Sequence, residues 1–272
     1  MARPVRGALI VAALLVATAC GSNGGRGSGP GGETDGGSTG VDGPGSSTGD
    51  DASPPEAAVD GEGGGGGVAS RFVTSVVDFK PTDCAGFGSQ RLPGVVEGPP
   101  VGGGTGHGSL DVLSFGSGGS IVVSFAPNAI VDGPGTDFIV FENPFRIGGS
   151  SSNVYAEPGE VSVSDDGTTW HTFPCNPTFD PGAADGTGTA PPYGACAGWH
   201  VVYSTPQNGI SPFDPAVAGG DPFDLAQVGL KHARYVRIVD RTDEVCPEAG
   251  ASKPDNNGFD LDAVAIVHAE LP

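Results

Sequence analysis

Acidic residues gather at the ends of apolar runs in the second half of this chain. Asp137 stands before Phe138-Ile139-Val140-Phe141 and Glu142 directly after it, while Asp240 closes Tyr235-Val236-Arg237-Ile238-Val239. Asp260 and Asp262 are separated by one residue, which on a strand points both side chains to one face. Carboxylates that converge at sheet edges repel unless a cation lies between them. The chain offers few of its own, with 12 Lys and Arg against 32 Asp and Glu. Calcium takes many hard oxygen ligands in irregular geometry, so Asp137, Glu142, Asp240, Asp260 and Asp262 form the expected ligand set. The stretch Asp255-Asn256-Asn257-Gly258-Phe259-Asp260 also alternates oxygen ligands around a glycine, without completing an EF-hand loop. The simpler use of the same acids is to cap turns, as Asp beside Gly commonly does.

Acid–base catalysis is the other chemistry that paired carboxylates can do, and Asp260 with Asp262 or Glu142 could serve a glycosidase. No further catalytic signature supports it. The domain has no G-x-S-x-G elbow, no H-E-x-x-H and no Gly-Lys pair for a phosphate loop. His107, His171, His200, His232 and His268 are scattered, and two of them sit beside Trp170 and Trp199 as structural histidines do. A net charge of −20 excludes a basic face for nucleic acid.

Binding by aromatic faces fits the sequence better. Phe145, Tyr155, Phe179, Tyr193 and Phe213 fall in or beside two long insertions, residues 144–158 and 175–220. Flat rings with polar neighbours hold sugars and protein partners, and loops on a rigid scaffold are where such rings work. Tyr155, Tyr193 and Phe213 are the expected ligand-binding residues.

Those groups must be carried by a framework, and the chain divides into three parts. In residues 1–19, Arg3 and Arg6 precede a short apolar stretch and then Ala17-Thr18-Ala19, the order of a secretory signal. The apolar stretch is well short of the ~20 residues that span a bilayer. Cys20 follows directly, and Ala17-Thr18-Ala19-Cys20 resembles a lipobox, which implies a lipid on Cys20, palmitate included. Residues 20–70 are mostly Gly, Ser, Thr, Pro and acid, with almost no large apolar residue. Such a segment buries too little to offset its ordering entropy and is expected to act as a disordered tether spanning roughly 40 Å. Gly21 in place of Asp after the lipidated cysteine resembles lipoproteins sorted to an outer membrane.

Residues 71–272 read as an all-β domain. The stretch Ile121-Val122-Val123-Ser124-Phe125 alternates, as a half-buried strand does, whereas Phe138-Ile139-Val140-Phe141 is apolar throughout, as a strand covered on both sides is. Val161-Ser162-Val163-Ser164, Asp165-Asp166-Gly167 and then 168–173 read as a hairpin, with Gly167 supplying positive φ. Residues 199–203, 235–239 and 261–268 complete a set of short strands, eight to ten in all, that predicts a β-sandwich or jelly roll. Long helices are unexpected with 49 Gly and 25 Pro. Cys84, Cys175, Cys196 and Cys246 lack zinc-finger spacing, and an even count in an exported domain reads as two disulfides with three possible connectivities. Cys175 and Cys196 flank one loop and are paired here, which leaves Cys84 with Cys246.

The segment 160–170, Glu-Val-Ser-Val-Ser-Asp-Asp-Gly-Thr-Thr-Trp, resembles the hairpin of discoidin-like (galactose-binding-domain-like) modules. Ala233-Arg234-Tyr235-Val236-Arg237-Ile238 resembles their later core strand. The stretches 132–138, 219–225 and 258–264 are similar to a group of bacterial cell-surface proteins and lipoproteins. The resemblance implies a discoidin-like β-sandwich, and such carbohydrate-binding modules commonly carry a structural calcium. The two insertions depart from the compact discoidin pattern, so no ligand contacts carry over. The expectation is a lipid-anchored protein of the outer membrane or cell surface that binds glycan or a surface protein without catalysis. The rivals are a structural or adhesive envelope component and a glycan hydrolase using two carboxylates.

Overall fold

The computed structural model describes residues 69–150, 154–177, 194–247 and 254–270, all within the unit Glu56–Pro272. The signal segment, Cys20, the tether to residue 68, Phe179 and Tyr193 lie outside the described residues. Sixteen strands run in order: β1 (Ser75–Lys80), β2 (Leu113–Ser114), β3 (Ser120–Ser124), β4 (Ala129–Val131), β5 (Phe138–Phe141), β6 (Phe145–Arg146), β7 (Val154–Tyr155), β8 (Gly159–Ser164), β9 (His171–Thr172), β10 (Cys196–Ala197), β11 (Asp221–Phe223), β12 (His232–Ala233), β13 (Tyr235–Asp240), β14 (Asp260–Leu261), β15 (Ala263–Ile266) and β16 (Ala269–Glu270). All pairings are antiparallel, and no α-helix occurs among the described residues.

The largest sheet has the order β1-β3-β13-β8-β10, with β9 also pairing β8. Its inner face is a ladder of branched side chains. Val236 lies opposite Val123 and Val163, and Ile238 opposite Ile121 and Val161. Such cross-strand pairs are the unit of sheet stabilisation, and they supply one wall of the core. The other wall comes from the sheet β11-β5-β15, which contributes Phe138, Val140, Phe223, Val264 and Ile266 to the same buried cluster. Two antiparallel sheets that share one apolar core have the layering of a β-sandwich.

Strand β5 explains its own sequence. Phe138 and Val140 belong to the core, while Ile139 and Phe141 join a second cluster with Val202, Ala218, Ala263 and Ala265. The second insertion therefore covers the outer face of this sheet, and both faces of β5 are dry. The β8–β9 hairpin forms as its pattern predicts. Gly167 takes φ 74°, and the Asp166 carboxylate accepts the Thr168 and Thr169 amides at 2.7 Å. The disulfides join Cys84 to Cys246 and Cys175 to Cys196, with Cα separations of 5.6 and 4.6 Å.

Two stretches differ from expectation. Residues 199–203 are not a strand, because the Asp221 carboxylate captures the Gly198 and Trp199 amides at 2.7 and 3.3 Å. Only Val202 bridges, to Gly219. The expected strand 261–268 is interrupted at Asp262, so β14 pairs β2 whereas β15 pairs β5. Two-residue pairs such as β2–β14 carry no periodicity, which is why sixteen strands appear among the described residues where eight to ten were expected.

Candidate functional site

The exit of β5 is where the acids converge. Glu142 follows Phe141 directly and is held at 1 % exposure. Asp260 opens β14, and its own amide donates to Glu142 Oε1 at 3.1 Å, which draws the two strand ends together. Glu157 arrives from the first insertion, just before β8, where its amide donates to the Gly198 carbonyl at 3.0 Å. Glu142, Glu157 and Asp260 can each present one oxygen such that the three lie within 4.8 Å of one another. Glu157 and Asp260 are also buried, at 7 and 9 % exposure.

A second ring of groups surrounds this triad. The Ser114 hydroxyl donates to Asp260 Oδ1. The Tyr155 hydroxyl lies 2.9 Å from Glu244 Oε1 and 3.4 Å from Glu157 Oε1, so its single proton serves Glu244 first. Glu244 Oε2 accepts the Gly258 amide at 3.1 Å. Asp240 accepts the Phe259 and Thr242 amides at 2.8 and 2.7 Å. Gly258 has φ 77°, and a Cβ there would come within 1.8 Å of Asp240 Oδ2, so only glycine lets the chain pass this carboxylate.

No ion pair among the described residues reaches Glu142, Glu157, Asp240, Glu244 or Asp260. The electrostatic result is large. Burial, followed by the neighbouring Glu157 and Asp260, pushes the Glu142 carboxyl well above its ordinary range. Glu157 is driven up by burial and then by Asp260, Glu244 and Asp240. Asp260 rises to about 6 through burial, against the lowering bonds from Ser114 and Asn143. Asp240 is also raised, chiefly by burial. Carboxyls in this setting resist ionisation unless donors or a cation offset their charge. Within the triad, hydrogen bonding leaves Glu142 Oε2 buried without a partner, and beside Asp240 the Thr242 hydroxyl is left over as well. All-oxygen donors suit calcium or magnesium rather than a thiophilic metal.

Of the acids expected from the sequence, the structure brings Glu142 and Asp260 together and sets Asp240 in the surrounding ring. Asp137 and Asp262 lie elsewhere. Asp137 accepts the Gly133 amide and the His268 Nδ1 at 2.8 Å and the Leu225 amide at 2.7 Å. Its neighbours Asp132 and Asp224 are served by Lys231 and by the Ala226 amide. Asp262 holds the Val101 amide between its two oxygens at 3.0 and 2.9 Å, and burial raises its carboxyl to about 8. Glu157, Glu244 and Ser114 were not anticipated. The one available signal was an acid next to Pro158 in an insertion already marked by its aromatic rings.

The expected ligand-binding rings divide as well. Tyr155 is 39 % exposed and stacks on Phe145 with centroids 5.2 Å apart. Phe213 packs at a tilt against Phe72, with centroids 5.0 Å apart, beneath the Arg71 guanidinium, and so plugs its loop onto the outer face of β5's sheet. Tyr193 lies outside the described residues. No family model matches the chain, and no curated protein matches it.

Proposed function

We propose that this chain is an exported protein, lipid-anchored through Cys20 to the outer membrane or cell surface, whose discoidin-like β-sandwich binds glycan or a surface protein without catalysis. Calcium braces the domain in this reading. The observation that carries it is the closure of the acids. Glu142, Glu157 and Asp260 are at 1, 7 and 9 % exposure, with the Asp260 amide bonded to Glu142 and with Tyr155 and Glu244 around them. A glycosidase needs a carboxyl within reach of the scissile oxygen and a second one beside the sugar. Carboxyls held this far from solvent suit bracing a scaffold, which leaves exposed rings such as Tyr155 to meet a partner. Two disulfides support export.

The test is a glycan array and a cell-surface pull-down with the purified full chain, run with a glycan-hydrolysis assay on the same material. Retention on a defined glycan or surface protein, without product, is expected. Turnover that disappears in Glu157→Gln would overturn the non-catalytic reading. Fractionation of cells carrying Cys20→Ser checks the anchor: the variant should leave the membrane fraction, and its retention there would refute lipidation.

A further inference from the structure

The unpartnered oxygen of Glu142 points to an occupant. A buried acceptor with nothing to accept from is uncommon in folded proteins, and a charged one is costly. Here it stands beside two further buried carboxyls, in a ring whose remaining members, Asp240 and Glu244, are also acids. Outside this cluster, each buried acid described above has its own donors, Asp137 three of them. The deficit is therefore local to the exit of β5.

We propose that Glu142, Glu157 and Asp260 are the direct ligands of one hard divalent cation, calcium, held where the end of β5, the first insertion and the start of β14 meet. The proposal rests on the reading of the domain as cation-braced and names the site of that brace. Calcium–oxygen bonds of about 2.3–2.6 Å allow two ligands on one ion to stand up to about 5 Å apart. The three oxygens fall inside that span, at 4.8 Å or less. Magnesium keeps several waters in a strict octahedron, which suits a site this enclosed less well. Two charges on the ion offset carboxylates that have no Lys, Arg or His partner among the described residues. The ion also ties the Tyr155 hairpin to the core through Glu157, two residues further on. Asp137 and Asp262 take no part.

The experiment is isothermal titration of calcium chloride into the metal-stripped full chain at fixed ionic strength, with wild type, Glu142→Gln, Glu157→Gln and Asp262→Asn in parallel. Wild type should bind one calcium. Glu142→Gln and Glu157→Gln should weaken it by at least the ~10–100-fold that even an outer partner of a ligand contributes. Asp262→Asn should stay close to wild type. Melting of each metal-free protein guards against misfolding, because glutamine keeps the shape and removes charge, so the glutamine variants should melt no lower than wild type. If wild type binds no calcium, the cation-braced reading fails and this site fails with it. If wild type binds but both glutamine variants bind equally well, the brace stands and the site assigned here is wrong.

Discussion

Two buried acids flank the same four-residue strand and have opposite fates. Asp137 enters β5 and Glu142 leaves it, roughly 16 Å further along an extended chain. Both are almost wholly buried, at 0 and 1 % exposure. Asp137 is met by two backbone amides and the His268 ring, so the fold itself supplies its hydrogen-bond partners and gains a fixed junction between β5, the turn after β11 and the turn before β16. Glu142 is met by the Asp260 and Asn143 amides, by two more buried carboxyls and by no cation among the described residues, and its Oε2 has no hydrogen-bond partner. Burial alone therefore does not identify a site in this molecule. What separates a structural acid from a candidate ligand is whether its own oxygens have donors.

That contrast breaks most directly at Asp137. Asp137→Ala orphans three donors, and stability should fall by about 3–5 kcal/mol in denaturant unfolding. A loss below about 1 kcal/mol would show that these bonds carry no weight. Calcium sharpens the other side. At 100 times its dissociation constant it should add about 2.7 kcal/mol to wild type, read as a rise in Tm, and almost nothing to Glu142→Gln. An equal rise in both would place the ion away from Glu142. Gly258→Ala strains a left-handed backbone and drives a methyl into the Asp240 carboxylate, so about 1–3 kcal/mol should be lost with or without calcium. A loss confined to the calcium-bound form would make Gly258 part of the ion site instead.

The smallest effect lies in the β8–β9 turn. The amides of Thr168 and Thr169 hold the Asp166 carboxyl below its ordinary range. A group whose folded pKa is depressed stabilises above its unfolded value, about 3.9, and loses that contribution as pH falls through the folded value. Asp166→Ala should therefore lower Tm slightly at neutral pH, with the gap to wild type closing in acid. A gap independent of pH would remove the carboxylate from the explanation.

Sequence patterns carried the parts of the fold that rest on local chemistry. The uninterrupted apolar run of β5, the glycine of the β8–β9 turn and the pairing of Cys175 with Cys196 each follow from residues close together in the chain. Glu142 and Asp260 stood out because they end or open strands. Glu157 did not, since its place is set by an insertion without periodicity, anchored through the Gly198 carbonyl some forty residues away. Asp260 and Asp262 were separated for a related reason. The alternation rule assumes one continuous strand, and the chain changes sheets between them. Residues 199–203 read as a strand until Asp221 takes the Gly198 and Trp199 amides at its start, a long-range competition that no local window contains.

The central claim is that the three carboxyls at the exit of β5 are cation ligands, and the most direct measurement is a crystal structure grown in calcium with an anomalous difference map. The account predicts a single peak among Glu142, Glu157 and Asp260, about 2.3–2.6 Å from an oxygen of each. Carboxyls bonded to one another through shared protons, with no anomalous peak between them in calcium-saturated crystals, would contradict it.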